Sequence, residues 1–228
     1  KNISFEDSNH TFANDRYILN NTYVGEGLIV DFSLEQNHID TVTKLFKGVI
    51  FKKSFENLNI ESVKFDGSDF TNLNLKDLIV DSNTSFKDCI FTNTTPGPFL
   101  NGILQPQYLP NETFKFDQYI IGPNINLSSL NLEELDFQDA NLSEINFENS
   151  VLRNCKINNN TNFLNCKTNN TVLGPFIIED TNSFDSNIVV FPTQDFIFHE
   201  TSQLIIGPNI KLDTNLSDLI FSSIEFQN

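Results

Sequence analysis

Apolar residues recur at every fifth position through two long stretches of the chain. From Ile125 the pentads centre on Leu127, Leu132, Phe137, Leu142, Phe147, Leu152 and Ile157. Two places before each centre stand Ile125, Leu130, Leu135, Ala140, Ile145, Ser150 and Cys155. An earlier run from Leu58 centres on Ile60, Phe65, Phe70, Leu75 and Val80, and a third, near the C-terminus, on Leu216, Phe221 and Phe226. A period of five suits neither a helix at 3.6 nor a flat strand at 2.0. It predicts a chain that turns a corner every five residues and sends the centre, and the residue two before it, inward. The residue between them is expected at the surface. Four such sides close one coil, and successive coils stack by strand-like hydrogen bonding about 4.8 Å apart.

A longer repeat of about 76 residues overlies the short one. Asp7-Ser8-Asn9-His10-Thr11-Phe12 matches Asp81-Ser82-Asn83-Thr84-Ser85-Phe86, and Asn158-Asn159-Asn160-Thr161-Asn162-Phe163 is the third copy. Asn20-Asn21-Thr22 before Gly25, Asn93-Thr94-Thr95 before Gly97 and Asn169-Asn170-Thr171 before Gly174 form a second set. Ile120-Ile121-Gly122-Pro123-Asn124-Ile125 recurs as Ile205-Ile206-Gly207-Pro208-Asn209-Ile210, each time after an F-x-F strand, Phe114 with Phe116 and Phe196 with Phe198. Repeats of this length indicate stacked supersecondary units.

The pentads, spelled INLSS LNLEE LDFQD ANLSE INFEN, resemble the A-(D/N)-L-x-x motif of the pentapeptide-repeat family. That resemblance implies a right-handed quadrilateral β-helix. The position two before the centre departs from it, since Leu, Ile or Val often replaces the family's Ala, which implies a wider or less regular coil. The IGPN corner running into NLS pentads is similar to the tandem type found in surface and virion proteins of aquatic microbes and large DNA viruses. The expected fold is therefore all-β: a right-handed, pentapeptide-repeat-like β-solenoid of three tandem units. Its parts are residues 1–24 (the end of a unit), 25–96, 97–173 and 174–228 (the start of a unit). The last part stops within its pentads, and 1–24 carries the missing end. The chain is therefore expected to continue head to tail, covalently or not, into another copy. Lys1-Asn2-Ile3 in place of an initiating Met is expected of a processed product or a segment of something longer.

Fourteen basic residues against thirty acidic ones give a net charge of −16, which opposes binding to nucleic-acid phosphates or anionic membranes. The same charge fits a self-repelling rod or an acidic decoy of DNA. No apolar run approaches the roughly 18 residues that would span a bilayer. The three cysteines, Cys89, Cys155 and Cys166, show neither disulfide nor zinc spacing and are expected as small buried apolar residues. There are 33 Asn, which suits stacked turns, because Asn tolerates left-handed backbone.

No catalytic, cofactor or metal constellation is legible. His10, His38 and His199 lie in unrelated contexts, the glycines are isolated, and no EF-hand or GGxGxD pattern supports calcium. N-x-S/T, the acceptor for N-linked glycans, does recur. Asn126, Asn141 and Asn215 carry it as a spelling of the pentad. The remaining acceptors are Asn9, Asn83 and Asn159 in one set, Asn20, Asn93 and Asn169 in another, and Asn2 and Asn111 singly. The expected function is a non-enzymatic structural protein: a filament- or fibre-forming glycoprotein at an extracellular, cell or virion surface, with itself as partner. Two alternatives are an acidic DNA-mimic inhibitor of a topoisomerase and a virion fibre or cement protein.

Overall fold

The computed structural model describes residues 16–19, 22–25, 27, 29–36, 39, 45–100, 105–200 and 202–211. The pentad centres Leu216, Phe221 and Phe226 lie outside them, as do most of 1–24 and the end of 174–228. The described residues contain ten short strands and no α-helix. Contacts divide the chain into two compact units, Lys1–Asn126 with Ala140–Ile145, and Leu127–Asp139 with Asn146–Asn228.

One local rule builds the coils of both. Residues at the pentad centres are buried, Ile60, Phe65, Phe70, Leu127, Phe137 and Phe147 among them at 0% exposure. Two residues after the centre the backbone turns left-handed, at Ser62 (φ 61°), Asn72 (φ 64°), Glu134 (φ 67°) and Asn149 (φ 62°), for example. The next residue then donates its N–H to the carbonyl of the centre, as Val63 does to Ile60 at 3.1 Å and Ser150 to Phe147 at 3.0 Å. A four-residue turn with positive φ at its third residue is a type II turn, which favours Gly and Asn there. This is what the abundance of corner Asn provides.

The residue before the centre is exposed in some pentads, as at Lys64 and Asn131, but not in all. Asp69, Asn74, Asp136 and Asn146 are half-buried. They form the parallel bridges between coils, such as Asp69 with Ile90 and Asp136 with Lys156. Three of the four side chains also cap the corner ahead: Asp69 Oδ1 accepts the Thr71 N–H at 2.8 Å, Asp136 Oδ1 the Gln138 N–H at 2.9 Å and Asn146 Oδ1 the Glu148 N–H at 3.0 Å. Asp or Asn here serves as an Asx cap, and where it does the capped ladder half-covers the side chain that the pentad pattern alone would leave in water.

In the first unit, bridges link Leu45 with Lys64, Asn59 with Ile79 and Lys64 with Ser85, steps of 19, 20 and 21 residues. The short step contains the four-residue interval from Phe51 to Phe55, and the long one the six-residue interval from Val80 to Phe86. Four sides absorb one residue more or less without leaving the ladder, but the period of five is broken there. Aromatic rings fill the interior in two columns. Phe46, Phe65 and Phe86 stack at 5.3 and 5.5 Å, and Phe51, Phe70 and Phe91 lie at 5.1 and 5.3 Å. Each buried Phe contributes roughly 1.5–3 kcal/mol.

The second unit follows the same rule with fewer rings. Its bridges join Asn131 with Val151 and Lys156 with Ile177, and β7 (Val151–Leu152) pairs in parallel with β8 (Val172–Leu173). Two antiparallel hairpins punctuate the coils, one in each unit: β5 (Lys115–Asp117) with β6 (Tyr119–Ile121), and β9 (Ile197–His199) with β10 (Leu204–Ile206). Their local geometry matches. A Cβ on Gly122 would lie 2.2 Å from the Phe114 ring, and one on Gly207 the same distance from Phe196. Phe99 donates its N–H to Gln118 O at 2.8 Å, as Phe176 does to Gln203 O at 2.9 Å. The glycine of each IGPN corner is therefore required by the aromatic ring of the strand before it.

Candidate functional site

The interior holds a polar feature that the hydrophobic pattern hides. At the position two before the centre, several coils carry Ser, Thr or Cys, each fully or almost fully buried. In the first unit Ser68, Thr84 and Thr94 place their hydroxyls 3.2, 3.1 and 2.6 Å from the carbonyl oxygens of Phe46, Ile60 and Phe70. In the second, Ser150, Thr161 and Thr171 reach the carbonyls of Leu127, Phe137 and Phe147 at 2.5, 3.0 and 2.6 Å. Cys89 and Cys155 do the same through Sγ, to Phe65 O at 3.0 Å and Leu132 O at 2.9 Å. These thiols are hydrogen-bond donors and not the plain apolar fillers expected. Burial, with the nearby Asp66 carboxylate adding to it against backbone hydrogen bonds that oppose it, pushes the Cys89 thiol far above its ordinary value. It is therefore an unreactive thiol at neutral pH. The sequence signal was a small hydroxylated or thiol side chain recurring two places before a centre.

This ladder bears on the recurring acceptor motifs. Asn93 is exposed and left-handed (φ 53°); its N–H meets Asn124 O at 2.6 Å and its Nδ2 meets Asn72 Oδ1 at 2.8 Å. Its counterpart is Asn170 (φ 56°), bonded to Asn209 O at 2.6 Å and Asn149 Oδ1 at 2.9 Å. Asn169 stands one place earlier, with Nδ2 on Glu148 Oε1 at 2.8 Å. Thr94 and Thr171, both inward, are equivalent. The other set shifts in the same way, because Thr84 and Thr161 share one position while Asn83 and Asn159 do not. The inward Thr completes the motif only at Asn159 and Asn169, through Thr161 and Thr171; at Asn83 and Asn93 the motif is completed one residue later, by Ser85 and Thr95. Asn111 stands apart. It, Glu112 and Thr113 are all exposed, and they form a local turn outside the pentads. Asn2, Asn9 and Asn20 lie outside the described residues, as do His10 and His38.

The second unit also carries a cleft. From Asn162 to Val190 the step is 28 residues, against 21 from Lys156 to Ile177. The additional residues form a loop over the corner at 158–160. Asn159 latches it, donating Nδ2 to Ser183 O at 2.8 Å and accepting the Asp185 N–H at 2.9 Å. Between loop and coil lies a cleft of about 370 Å³ bounded by Gln138, Asn158, Asn160, Glu179, Asp180 and Phe184, among others. Glu179 is held below its ordinary value by its hydrogen bond and charge contact with Lys156 (Nζ to Oε1 2.6 Å) and by Gln138. Asp180 is lowered by the Ser183 hydroxyl and the Asn182 N–H. Both carboxyls are thus kept ionised, the opposite of what a general acid needs. His199 Nδ1 lies 2.7 Å from Ser202 Oγ. Among the described residues no group of three His, Cys, Asp or Glu could hold a metal, and no helix is long and apolar enough to cross a membrane.

Comparison with known proteins agrees with the pentads. Residues 131–167 match the family described as pentapeptide repeats, in 8 copies. No curated protein matches the chain. Two solved structures of QnrB1, a plasmid-mediated fluoroquinolone resistance protein, are distantly similar. The trypsin-treated form is 12% identical over 72% of this chain and 76% of its own, with a TM-score of 0.28. The full-length form is 13% identical over 84% and 93%, with a TM-score of 0.19. Likeness at that level carries no functional argument.

Proposed function

Because residues 131–167 are pentapeptide repeats, we propose that the chain is a non-enzymatic structural solenoid, displayed at an extracellular, cell or virion surface, that joins its own copies end to end. The observation that supports this is where the chemistry goes. The polar side chains that recur with the repeat serve corners, inward hydroxyl ladders and coil-to-coil bridges. The two acidic groups beside the cleft are hydrogen-bonded within the coil and its loop and kept ionised. A coil is added to its neighbour through parallel backbone hydrogen bonds, and such an edge accepts a coil of a second chain as readily as one of its own. Assembly of this kind is heterologous and leads to open fibres.

The proposal includes a right-handed wind, which parallel strand crossovers favour strongly. It also includes three tandem units, for which the matched hairpins at Gly122 and Gly207 speak. N-linked glycans belong to the same reading. Electron microscopy and light scattering over a concentration series test assembly. Fibres that lengthen with concentration are expected, and monodisperse particles at every concentration would refute it. Assaying the same material for topoisomerase inhibition at low salt separates the acidic DNA-decoy reading, which requires inhibition.

A further inference from the structure

The recurring acceptor motifs are not equivalent once folded. Transfer of an N-linked glycan requires the Asn amide nitrogen and the hydroxyl two residues on to be reached together. At Asn83 that hydroxyl is Ser85 Oγ, 1% exposed and bonded to Asp66 Oδ1. At Asn159 and Asn169 it is Thr161 and Thr171, 1% and 0% exposed and turned into the coil. At Asn93 the hydroxyl residue is Thr95, half-buried and in a bridge with Asn74.

Asn111 differs in each respect. Asn111, Glu112 and Thr113 are all exposed. Asn111 Oδ1 accepts the Thr113 N–H at 2.9 Å and the Thr113 hydroxyl at 2.6 Å, so amide and hydroxyl already stand together in one Asx turn. The repeat does not demand this motif. The equivalent turn in the second unit is Thr193-Gln194-Asp195, where Thr193 Oγ1 takes the Asp195 N–H at 3.3 Å. An oxygen acceptor suffices for that turn, and Asn is not needed.

We infer that, of the five acceptors Asn83, Asn93, Asn111, Asn159 and Asn169, Asn111 is the one that takes a glycan in the folded protein, whereas the other four are open to transfer only before their coils close. This rests on the glycoprotein reading above. The donor class is an oligosaccharide linked to a lipid pyrophosphate. Asn111 Nδ2 bonds to C1 of the first sugar, the bond from C1 to the pyrophosphate oxygen breaks, the amide proton passes to the enzyme's base, and the lipid pyrophosphate leaves.

The test uses the whole chain made in bacteria and folded without glycans. It is incubated with a purified single-subunit oligosaccharyltransferase and a lipid-linked oligosaccharide, then mapped by peptide mass. Among these five sites, modification at Asn111 alone is expected, and all five peptides should react after denaturation. Asn111→Thr retains the capping oxygen and should leave all five of these positions unmodified in the folded chain, with an unchanged circular dichroism spectrum. Transfer to Asn83, Asn93, Asn159 or Asn169 in the folded chain at a rate equal to Asn111 overturns the inference. So does an unreactive Asn111 in a folded chain whose denatured form reacts. The glycoprotein reading fails separately, if native material has the mass of the bare chain.

Discussion

Residues 81–86 in the first unit and 158–163 in the second solve the same problem with different chemistry. Each inserts one residue between successive centres, Val80 to Phe86 and Ile157 to Phe163, and each closes the enlarged corner with an inward Thr. Asp81 and Thr84 bond reciprocally: the Asp81 N–H donates to Thr84 Oγ1 at 3.1 Å, and Asp81 Oδ1 takes the Thr84 N–H at 2.9 Å. Asn158 and Thr161 do likewise, the Asn158 N–H meeting Thr161 Oγ1 at 3.0 Å. The clamp to the preceding coil differs. In the first unit the carboxylate is on the later coil, where Asp81 takes the N–H and hydroxyl of Ser62 at 2.7 and 3.0 Å. In the second the carboxylate is on the earlier coil. Asp139 accepts Asn158 Nδ2 and Asn160 Nδ2 at 2.9 and 2.8 Å, and its N–H returns a bond to Asn158 Oδ1 at 3.0 Å. The fold therefore specifies an acceptor across the corner but not which coil supplies the charge.

The largest expected effect comes from the rings that follow these corners. Phe86 and Phe163 are 1% and 0% exposed, and truncation to Ala should remove about 3–5 kcal/mol. Phe86 also stacks on Phe65 and contacts Phe70 and Phe91, whereas Phe163 meets Phe176 at 6.1 Å. Hydrogen exchange by mass spectrometry, which resolves the units, should show the greater local loss for Phe86→Ala. Equal or reversed losses would disprove the weight given to the ring column.

Next in size is removal of the inward hydroxyls. Thr84→Val and Thr161→Val remove the hydroxyls that bond the Ile60 and Phe137 carbonyls and accept the Asp81 and Asn158 N–H, in a core of nearly unchanged shape, a loss of about 1–3 kcal/mol each. Thr→Ser at the same places should retain most of the stability. Chemical denaturation of the four variants decides the point, and indistinguishable Val and Ser variants would rule out the hydroxyl ladder.

Variants at the two clamps should respond differently to acid. Burial works to raise the Asp81 pKa, but hydrogen bonds from Ser62, Thr84 and Asn83 outweigh it and pull the carboxyl well below its ordinary 3.8. A depressed folded value means that its contribution is fully present above the unfolded value. It is lost as pH falls from there toward the lower folded one. Asp81→Asn should flatten that part of the acid-unfolding curve. Asn158→Asp sets a second carboxylate against Asp139, so it should destabilise the second unit at neutral pH and recover as the pair gains a proton in acid. Parallel acid titrations of the two variants would show whether the asymmetry between the corners is real.

Smallest should be Cys89→Ser and Cys155→Ser, within about 1 kcal/mol. Ser68 and Ser150 already fill equivalent positions with the same bond. A larger loss, read from urea midpoints, would mean that the thiols pack by size and not by donating.

Spacing and residue type alone were enough to indicate the coil. Where five-residue sides follow one another, as from Leu127 to Ile157, one side chain in five must be large and apolar, and Asx caps and left-handed corners must recur beside it. Local stereochemistry imposes those demands, so they are written in adjacent residues. The first unit was legible only from Ile60 to Val80, because the four-residue side after Phe51 and the six-residue side before Phe86 shift the phase without disturbing the ladder. Which Thr faces inward, that Asn93 corresponds to Asn170 and not Asn169, that Asn159 holds a loop, and that Gly122 and Gly207 sit against phenyl rings were decided by contacts among residues more than a turn apart. Hydrogen bonds between coils some 20 residues apart choose those partners. A one-residue slip leaves the local spelling almost unchanged while changing which Asn takes the left-handed corner, as at Asn93 and Asn170.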